Sequence, residues 1–482
     1  MKDINQFHTM FNKETYKSRR EALKKMMDGG IAVFPGNSEA PENYLSNQYR
    51  FRQDSSFLYF FGIDEPDFAA VLDFDSGEEI IFGNDVSIDD IIWMGPQPSV
   101  ASKAESVGIT DSRPFEDLYK VVGEAVSKGR KVHFLPPYRY CNMLLLSELI
   151  GVPCTKNGND TRKMLASLSS PELTKAVISL RLIKEPCEID EIDKACDIGY
   201  EMHHAAMKAA RLGMKEQELV GLMEGITVSK GWGPSFAIIL SQNGETLHNH
   251  THHQYLTDGR LFVIDAGAES NTHYASDFTR TLPCSGRFTS KQKEIYTIVS
   301  KANDLALEMA RPGITYREVH LATARLMLEG LSALGIVSGD LDEMVEKGVM
   351  GLFQPHGLGH NMGLDVHDME DLGEDLVGYD EDQKRSPQLG LGSLRMARRL
   401  KPGHVITDEP GIYFIPALIE NWKAAGTNAG FINFGLLEKE YYDFGGIRIE
   451  DDLLITENGC RLLGHKRLPH TVEEVETEMA ER

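Results

Sequence analysis

The strongest constraint on the fold is a change in pattern about one third of the way along the sequence. In the first part, short apolar runs bounded by Gly or Pro alternate with helical stretches. The runs are IAVFPG at residues 31–36, SFLYFFGI at 56–63, AAVLDF at 69–74, EEIIFG at 78–83 and KVHFLP at 131–136. Such runs are typical of buried strands. The alternation predicts a small α/β domain with a mixed sheet.

From about Ser169 the pattern becomes one of long amphipathic helices, at 286–311 and 316–335, between strand-like runs. This predicts an α+β domain of different architecture. A chain of 482 residues also exceeds the length at which one core keeps growing. We therefore predict an N-terminal domain at residues 1–165 and a second domain at 166–482, with the linker within 155–190.

Charge and cysteine content exclude several classes of protein. The formal net charge of -23 disfavours nucleic acid and anionic membranes as partners, because their phosphates would be repelled. No apolar run approaches the roughly 18 residues that span a bilayer, and the first residues lack the apolar stretch of a signal peptide. The six cysteines have no paired short spacings. We expect a cytoplasmic protein with reduced thiols.

Two aspartates in RLFVIDAGAESNTHYASDFTRTLP are the first candidate site residues. Asp265 follows the apolar run Phe262–Ile264, and Asp277 lies twelve positions later, with turn-forming residues between them. A hairpin would bring the two carboxylates together. A buried carboxylate needs a cation or hydrogen-bond donors. The alternative is that each aspartate simply caps a turn.

Three histidines fall within QPHGLGHNMGLDVHD: His356, His360 and His367. Imidazole is the commonest metal ligand and a proton carrier near neutral pH. The His-x-x-x-His spacing is not that of a helical zinc site, because no Glu follows the first His and the glycines disfavour a helix. Each histidine alone could be structural, but the cluster favours a functional site.

Two glutamates complete the set: Glu409 in VITDEPGIYF and Glu450 in GGIRIEDDLLI. Exposed positions on strand faces are the alternative for either one. Four carboxylates cannot share a buried site without cations, because repulsion would force protonation. Two divalent ions roughly 3.5–4 Å apart would satisfy them. Oxygen-rich ligands with one His favour manganese, or iron or cobalt, and zinc stays possible.

The order of these motifs, D-x11-D, HGxGH, DVHD, EPGIY and GIRIEDD, resembles the pita-bread metallopeptidases. The segment NYLSNQYRFRQDSSFLYFFGIDEPD is similar to the N-terminal domain of the aminopeptidase P and prolidase branch of that family. The resemblance implies an α/β N-terminal domain followed by a pita-bread catalytic domain. It also implies hydrolysis of peptides with proline in the second position, and a homodimer.

The resemblance assigns roles to particular residues. It implies two metal ions held by Asp265, Asp277, His360, Glu409 and Glu450. Asp277 and Glu450 would bridge the ions, and Glu409 would also carry the proton to the proline nitrogen. His248, His356 and His367 would bind substrate and stabilise the oxyanion. Arg448 would orient a ligand carboxylate.

The segment SLRMARRLKPG at 393–403 is similar to one in the prolidases, as is the insertion at 415–445. There the first arginine, here Arg395, holds the free carboxylate of a dipeptide. The alternative is an arginine at an exposed helix end. An aminopeptidase acting on longer peptides and a non-catalytic binding protein are the other functions left open.

Two positions depart from the family pattern. Phe236 stands where relatives often carry a tyrosine near the metals, and Asp408 stands where they usually have an apolar residue. Neither removes a ligand.

Overall fold

A computed structural model describes residues 9–481, which divide after Arg181 into two units. The predicted boundary at residue 165 lies inside a helix of the first unit. Every helix among the described residues is too short or too polar to cross a bilayer.

The first unit is built around a five-stranded sheet. Its helices are α1 (Lys13–Lys24), α2 (Ser55–Phe61), α3 (Ile88–Met94), α4 (Val100–Ser106), α5 (Asp117–Ser127), α6 (Tyr140–Leu149), α7 (Gly158–Leu168) and α8 (Pro171–Leu182), the last of which runs past the boundary. Its strands are β1 (Ile31–Pro35), β2 (Pro41–Tyr44), β3 (Asn47–Gln48), β4 (Ala69–Asp73), β5 (Glu79–Phe82), β6 (Asp111–Arg113) and β7 (Val132–His133). The sheet order is β6-β5-β4-β1-β7. Parallel pairs at β1–β7 and β5–β6 flank the antiparallel pairs β1–β4 and β4–β5, which confirms the predicted mixed sheet.

One predicted strand of this unit is wrong: SFLYFFGI forms helix α2. Its residues are buried throughout, so the apolar run has neither the alternation of a strand nor the polar face of a surface helix. The ends decide. The Asp54 side chain accepts a hydrogen bond from Phe57 N, and Gly62 closes the helix at a φ of 60°. These are standard start and stop signals of a helix.

The second unit combines helices with several short sheets. Its helices are α9 (Pro186–Ala209), α10 (Glu216–Lys230), α11 (Ser290–Met309), α12 (Tyr316–Ala333), α13 (Leu341–Glu346), α14 (Glu374–Val377), α15 (Pro416–Ala425), α16 (Phe434–Glu440) and α17 (Val472–Ala480), with 3₁₀ turns at Val349–Leu352, Glu370–Leu372 and Leu391–Ser393. Its strands are β8 (Gly233–Pro234), β9 (Ile239–Ser241), β10 (Leu261–Ala266), β11 (Ala268–Glu269), β12 (Phe278–Pro283), β13 (Val405–Asp408), β14 (Gly411–Tyr413), β15 (Gly446–Arg448), β16 (Asp451–Ile455) and β17 (Cys460–Leu462). The predicted helices at 286–311 and 316–335 are confirmed as α11 and α12. The predicted insertion contains α15 and α16.

Three sheets meet where the predicted site residues lie. Strands β10 and β12 pair antiparallel, with Asp265 opposite Thr279. Strands β13 and β16 form a second sheet, and β14 and β15 a third. A single bridge between Thr279 and Glu450 joins the first sheet to the segment between β15 and β16. All six residues of β10 and all six of β12 are buried, so their polar side chains are held in the interior.

Candidate metal centre and substrate cavity

The ten residues singled out in the sequence surround one cavity of about 500 Å³. They are His248, Asp265, Asp277, His356, His360, His367, Arg395, Glu409, Arg448 and Glu450. Phe236 also lines the cavity, whereas Asp408 is fully buried and accepts a hydrogen bond from Asn303. The neighbours Asp408 and Glu409 therefore face different surroundings.

Each acid reaches the cavity from the end or interruption of a strand. Asp265 lies within β10, and Asp277 directly precedes β12. Glu409 lies in the two-residue gap between β13 and β14, and Glu450 in that between β15 and β16. Pro410 has no N–H to give to a ladder, which helps to explain the first gap. The runs around Glu409 and Glu450, expected as continuous strands, are therefore interrupted at the functional side chain.

Three of the side chains come close enough to hold one ion. Asp277, His360 and Glu450 each offer an atom within 4.8 Å of the others. His360 Nδ1 donates to the Asn361 carbonyl at 3.1 Å, so the neutral ring turns its Nε2 lone pair toward Asp277 Oδ2, 3.3 Å away. A divalent cation between these two atoms would let both act as ligands.

The electrostatics of the acids agree with this arrangement. Burial, together with the neighbouring carboxylates, raises the pKa of Asp277 and of Glu450 well above the ordinary range. Burial raises the pKa of Glu409 to about 7, against the opposing charge of Arg448. Asp277 Oδ1 is buried and has no hydrogen-bond partner among the described residues. Such a donor set fits divalent cations, which would allow all these acids to ionise.

Asp265 differs from the other acids because an arginine holds it. Arg448 donates from Nη2 to Asp265 Oδ2, from Nη1 to the Tyr413 hydroxyl at 2.7 Å and from Nε to Thr279 Oγ1 at 3.0 Å. Thr279 in turn donates to Glu450 at 2.6 Å. Arg448 thus fixes the orientation of one acid directly and of a second through a hydroxyl.

The other three histidines at the cavity differ in how many of their ring nitrogens are already hydrogen-bonded. His356 Nδ1 donates to the Gly357 carbonyl at 2.7 Å, and its Nε2 accepts from the Tyr413 hydroxyl at 2.9 Å. Burial lowers the pKa of His356 to about 3. His367 places Nδ1 at 2.5 Å from Glu370, which leaves Nε2 for a ligand. His248 is exposed at the cavity wall.

Sequence reasoning did not assign roles to Thr279 or Tyr413, although both lie within the motifs it used. Tyr413 lies four positions after Glu409, and Thr279 two positions after Asp277. Same-face spacing along a strand was the available signal. Glu370 and Glu374, which contact Arg395, carried no such signal.

Comparisons with known proteins agree with the geometry. The family model of metallopeptidase family M24 matches residues 190–457, and the family model of the aminopeptidase P N-terminal domain matches residues 16–133. A human Xaa-Pro dipeptidase is 32% identical over 471 residues, covering 95% of this chain and 91% of its own. A probable Xaa-Pro aminopeptidase of Metarhizium acridum is 29% identical, covering 95% and 92%. Aminopeptidase P of Escherichia coli with the inhibitor Pro-Leu superposes with a TM-score of 0.78 at 29% identity, covering 98% of this chain and 99% of its own.

Proposed function

Because this chain belongs to metallopeptidase family M24, we propose that it hydrolyses the peptide bond before proline, with Xaa-Pro dipeptides as preferred substrates. The observation that carries the preference is Arg395. Its guanidinium lines the same cavity as the acids and is suited to the free carboxylate of a C-terminal proline. A substrate extended beyond proline has no carboxylate at that position.

The five ligands would be Asp265, Asp277, His360, Glu409 and Glu450, with Asp277 and Glu450 shared between two ions. Two divalent ions held there would supply an activated water and polarise the carbonyl of the bond to be cleaved. Manganese is our choice, because the donors are mainly carboxylate oxygens. Iron, cobalt and zinc are the alternatives to be compared by metal analysis of the purified protein.

The remaining residues handle protons and hold the substrate. Glu409 takes a proton from the attacking water and passes it to the proline nitrogen, which has no hydrogen of its own. His367 turns Nε2 toward the developing oxyanion while Glu370 holds Nδ1. His248 contacts the substrate carboxylate. His356, whose two nitrogens are already bound, packs against the proline ring.

The test compares two substrates in manganese-loaded protein: Gly-Pro and a longer peptide that begins Gly-Pro. We expect faster turnover of the dipeptide. Arg395→Ala should raise KM for Gly-Pro about 30-fold, since a hydrogen bond to a charged group contributes about 2 kcal/mol. Arg399→Ala is the matched control, because this neighbouring arginine is exposed and does not line the cavity.

The structural likeness to aminopeptidase P favours a second candidate, cleavage of longer Xaa-Pro peptides. Faster turnover of the longer peptide, with no effect of Arg395→Ala, would move the assignment there. Metal binding without turnover of either peptide would contradict both and favour a binding protein.

A homodimer is proposed from the surface of the first unit. Helix α3 exposes Ile88, Ile92, Trp93 and Met94, with Trp93 86% exposed. Four exposed apolar side chains on one short helix are typical of an interaction site, and a second copy of the chain is the proposed partner. Light scattering should give twice the chain mass for the wild type and a lower mass for Trp93→Asp.

A cytoplasmic location is proposed from the thiols. All six cysteines are free, and two of them, Cys141 and Cys154, are exposed. Exposed free thiols suit a reducing compartment. Cell fractionation with antibodies to the protein would test this directly.

A further inference from the structure

Arg395 is held through one of its three nitrogens. Its Nε lies 3.2 Å from Glu374 Oε1 and 3.5 Å from Glu370 Oε2. Its terminal nitrogens, Nη1 and Nη2, have no hydrogen-bond partner among the residues that the structure describes. The guanidinium is thus anchored on its Nε edge, and the pair of nitrogens that can grip a carboxylate in bidentate fashion is unused.

Glu374 is itself fixed by a second arginine. It is the first residue of α14, and its other oxygen, Oε2, lies 2.7 Å from Arg385 Nη2. Arg385 also contacts Asp375 at 2.6 Å and donates to the Gly392 carbonyl at 2.7 Å. One carboxylate oxygen of Glu374 therefore serves each arginine, and the orientation of the carboxylate is determined from both sides.

The backbone around Arg395 is registered to the same short helix. Ala397 N donates to the Gly378 carbonyl at 2.8 Å, directly after α14. A Cβ at Gly378 would lie 1.8 Å from the Arg395 carbonyl oxygen, so only glycine permits this approach. Arg398 binds the carbonyl of Val377 at 2.7 Å. Glu374 and Arg395, the two members of this ion pair, therefore belong to one packed segment.

Glu370 connects this segment to the metal centre. Its Oε2 contacts both His367 Nδ1 and Arg395 Nε. The His367 ring packs against His360 with centroids 4.2 Å apart. The imidazole proposed for the oxyanion and the guanidinium proposed for the carboxylate thus share one anchoring group.

We propose that Glu374, assisted by Glu370, is a positioning residue that holds Arg395 by Nε and so presents Nη1 and Nη2 to the carboxylate of the substrate's proline. This inference rests on the proposed dipeptidase function. The two acids also repel the substrate anion, but they are 33% and 39% exposed, and water and salt screen such repulsion. Orientation therefore outweighs repulsion.

The experiment measures KM and kcat for Gly-Pro in the manganese-loaded protein. Glu374→Ala should raise KM about tenfold with kcat nearly unchanged, because a charge-assisted hydrogen bond is lost in binding. Glu374→Asp keeps the charge and shortens the reach, so it should raise KM as well, by about threefold. Asp375→Ala is the matched control: it removes the neighbouring contact to Arg385 but none to Arg395, and KM should not change.

The double variant Glu374→Ala with Arg395→Ala separates positioning from a general structural effect. In the Arg395→Ala background, loss of Glu374 should add nothing to KM. An equal rise in both backgrounds would overturn the positioning role, as would an unchanged or lowered KM in both Glu374 variants. If Arg395→Ala alone leaves KM for Gly-Pro unchanged, the dipeptide preference fails together with this inference. If Arg395→Ala raises KM and the Glu374 variants do not, the inference alone fails. Glu374→Asp carries the test if Glu374→Ala does not fold.

Discussion

Glu450 and Asp451 are neighbours in the sequence and are equally buried, at 2% and 1% exposure, but their electrostatic surroundings are opposite. Burial and nearby carboxylates raise the pKa of Glu450 well above its usual range. Burial acts in the same direction on Asp451, but Arg280 and Arg467 outweigh it and lower the pKa of that carboxyl. Glu450 lacks a full counter-charge, whereas Asp451 forms ion pairs with two arginines.

The strands explain how two neighbours come to differ. Successive side chains along an extended segment point to opposite sides. Across the bridge, Thr279 donates to Glu450, and the next residue on that strand, Arg280, binds Asp451. The side chains of the two segments therefore alternate between the two sides in step. One side faces the cavity, and the other lies in the interior. Burial of an acid therefore does not by itself identify a site. Glu450 is distinguished because it also lines the cavity and lies beside other carboxylates.

The largest effect is expected where the paired side is broken. Arg280→Met leaves Asp451 with Arg467 alone and also removes donors to the carbonyls of Glu450 and Pro469. We expect a loss of about 3–5 kcal/mol in the free energy of unfolding, as when one partner of a buried ion pair is removed. Chemical denaturation measures it. Arg325→Met, which breaks an exposed pair with Asp342, should cost less than about 1 kcal/mol; similar losses for both would contradict the comparison.

The unpaired side should respond in the opposite way. Glu450→Gln should lower activity roughly 100-fold or more and weaken manganese binding. Even the loss of a residue that only hydrogen-bonds to a metal ligand lowers metal affinity or activity by about 10–100-fold. In metal-free protein the same change should leave the melting temperature unchanged or raise it, because a repelled carboxylate is removed. A peptidase assay measures the activity, and calorimetry with and without a chelator measures the melting temperatures of the metal-free and metal-loaded protein. Glu457→Gln, an exposed neighbour, is the control, and a lowered melting temperature for Glu450→Gln without metal would contradict the prediction.

The smallest effect concerns a paired acid in the first unit. Although partial burial opposes it, hydrogen bonds from Arg130 and backbone amides lower the pKa of Asp73 from 3.8 to about 2. Because the folded pKa is the lower one, the stabilisation is present above pH 3.8 and is lost as the pH falls through 2. Asp73→Asn should destabilise by at most about 2 kcal/mol at pH 6, with a difference that shrinks below pH 4 in urea unfolding. A difference that is constant with pH would show that the pairing is not electrostatic.

Much of the site was accessible from the sequence because ligand chemistry is local to short motifs. Four acids following or interrupting apolar runs, and histidines among glycines, predict the donor set around the cavity. The mixed sheet and the helices α11 and α12 were predicted for a similar reason, since their periodicity lies within each segment. The all-apolar run of α2 was misassigned because its periodicity is uninformative, and its capping residues decided the outcome.

What the sequence alone determined, then, is which side chains are available and in which order, because hydropathy and residue chemistry are properties of short segments. Only the tertiary structure decided their partners. Arg448 binds Asp265 across 183 positions of sequence, and Tyr413 donates a hydrogen bond to Nε2 of His356. Arg395 is held by Glu370 and Glu374, whose role no motif indicates. Such contacts depend on how distant strands and loops are brought together, which no local pattern encodes.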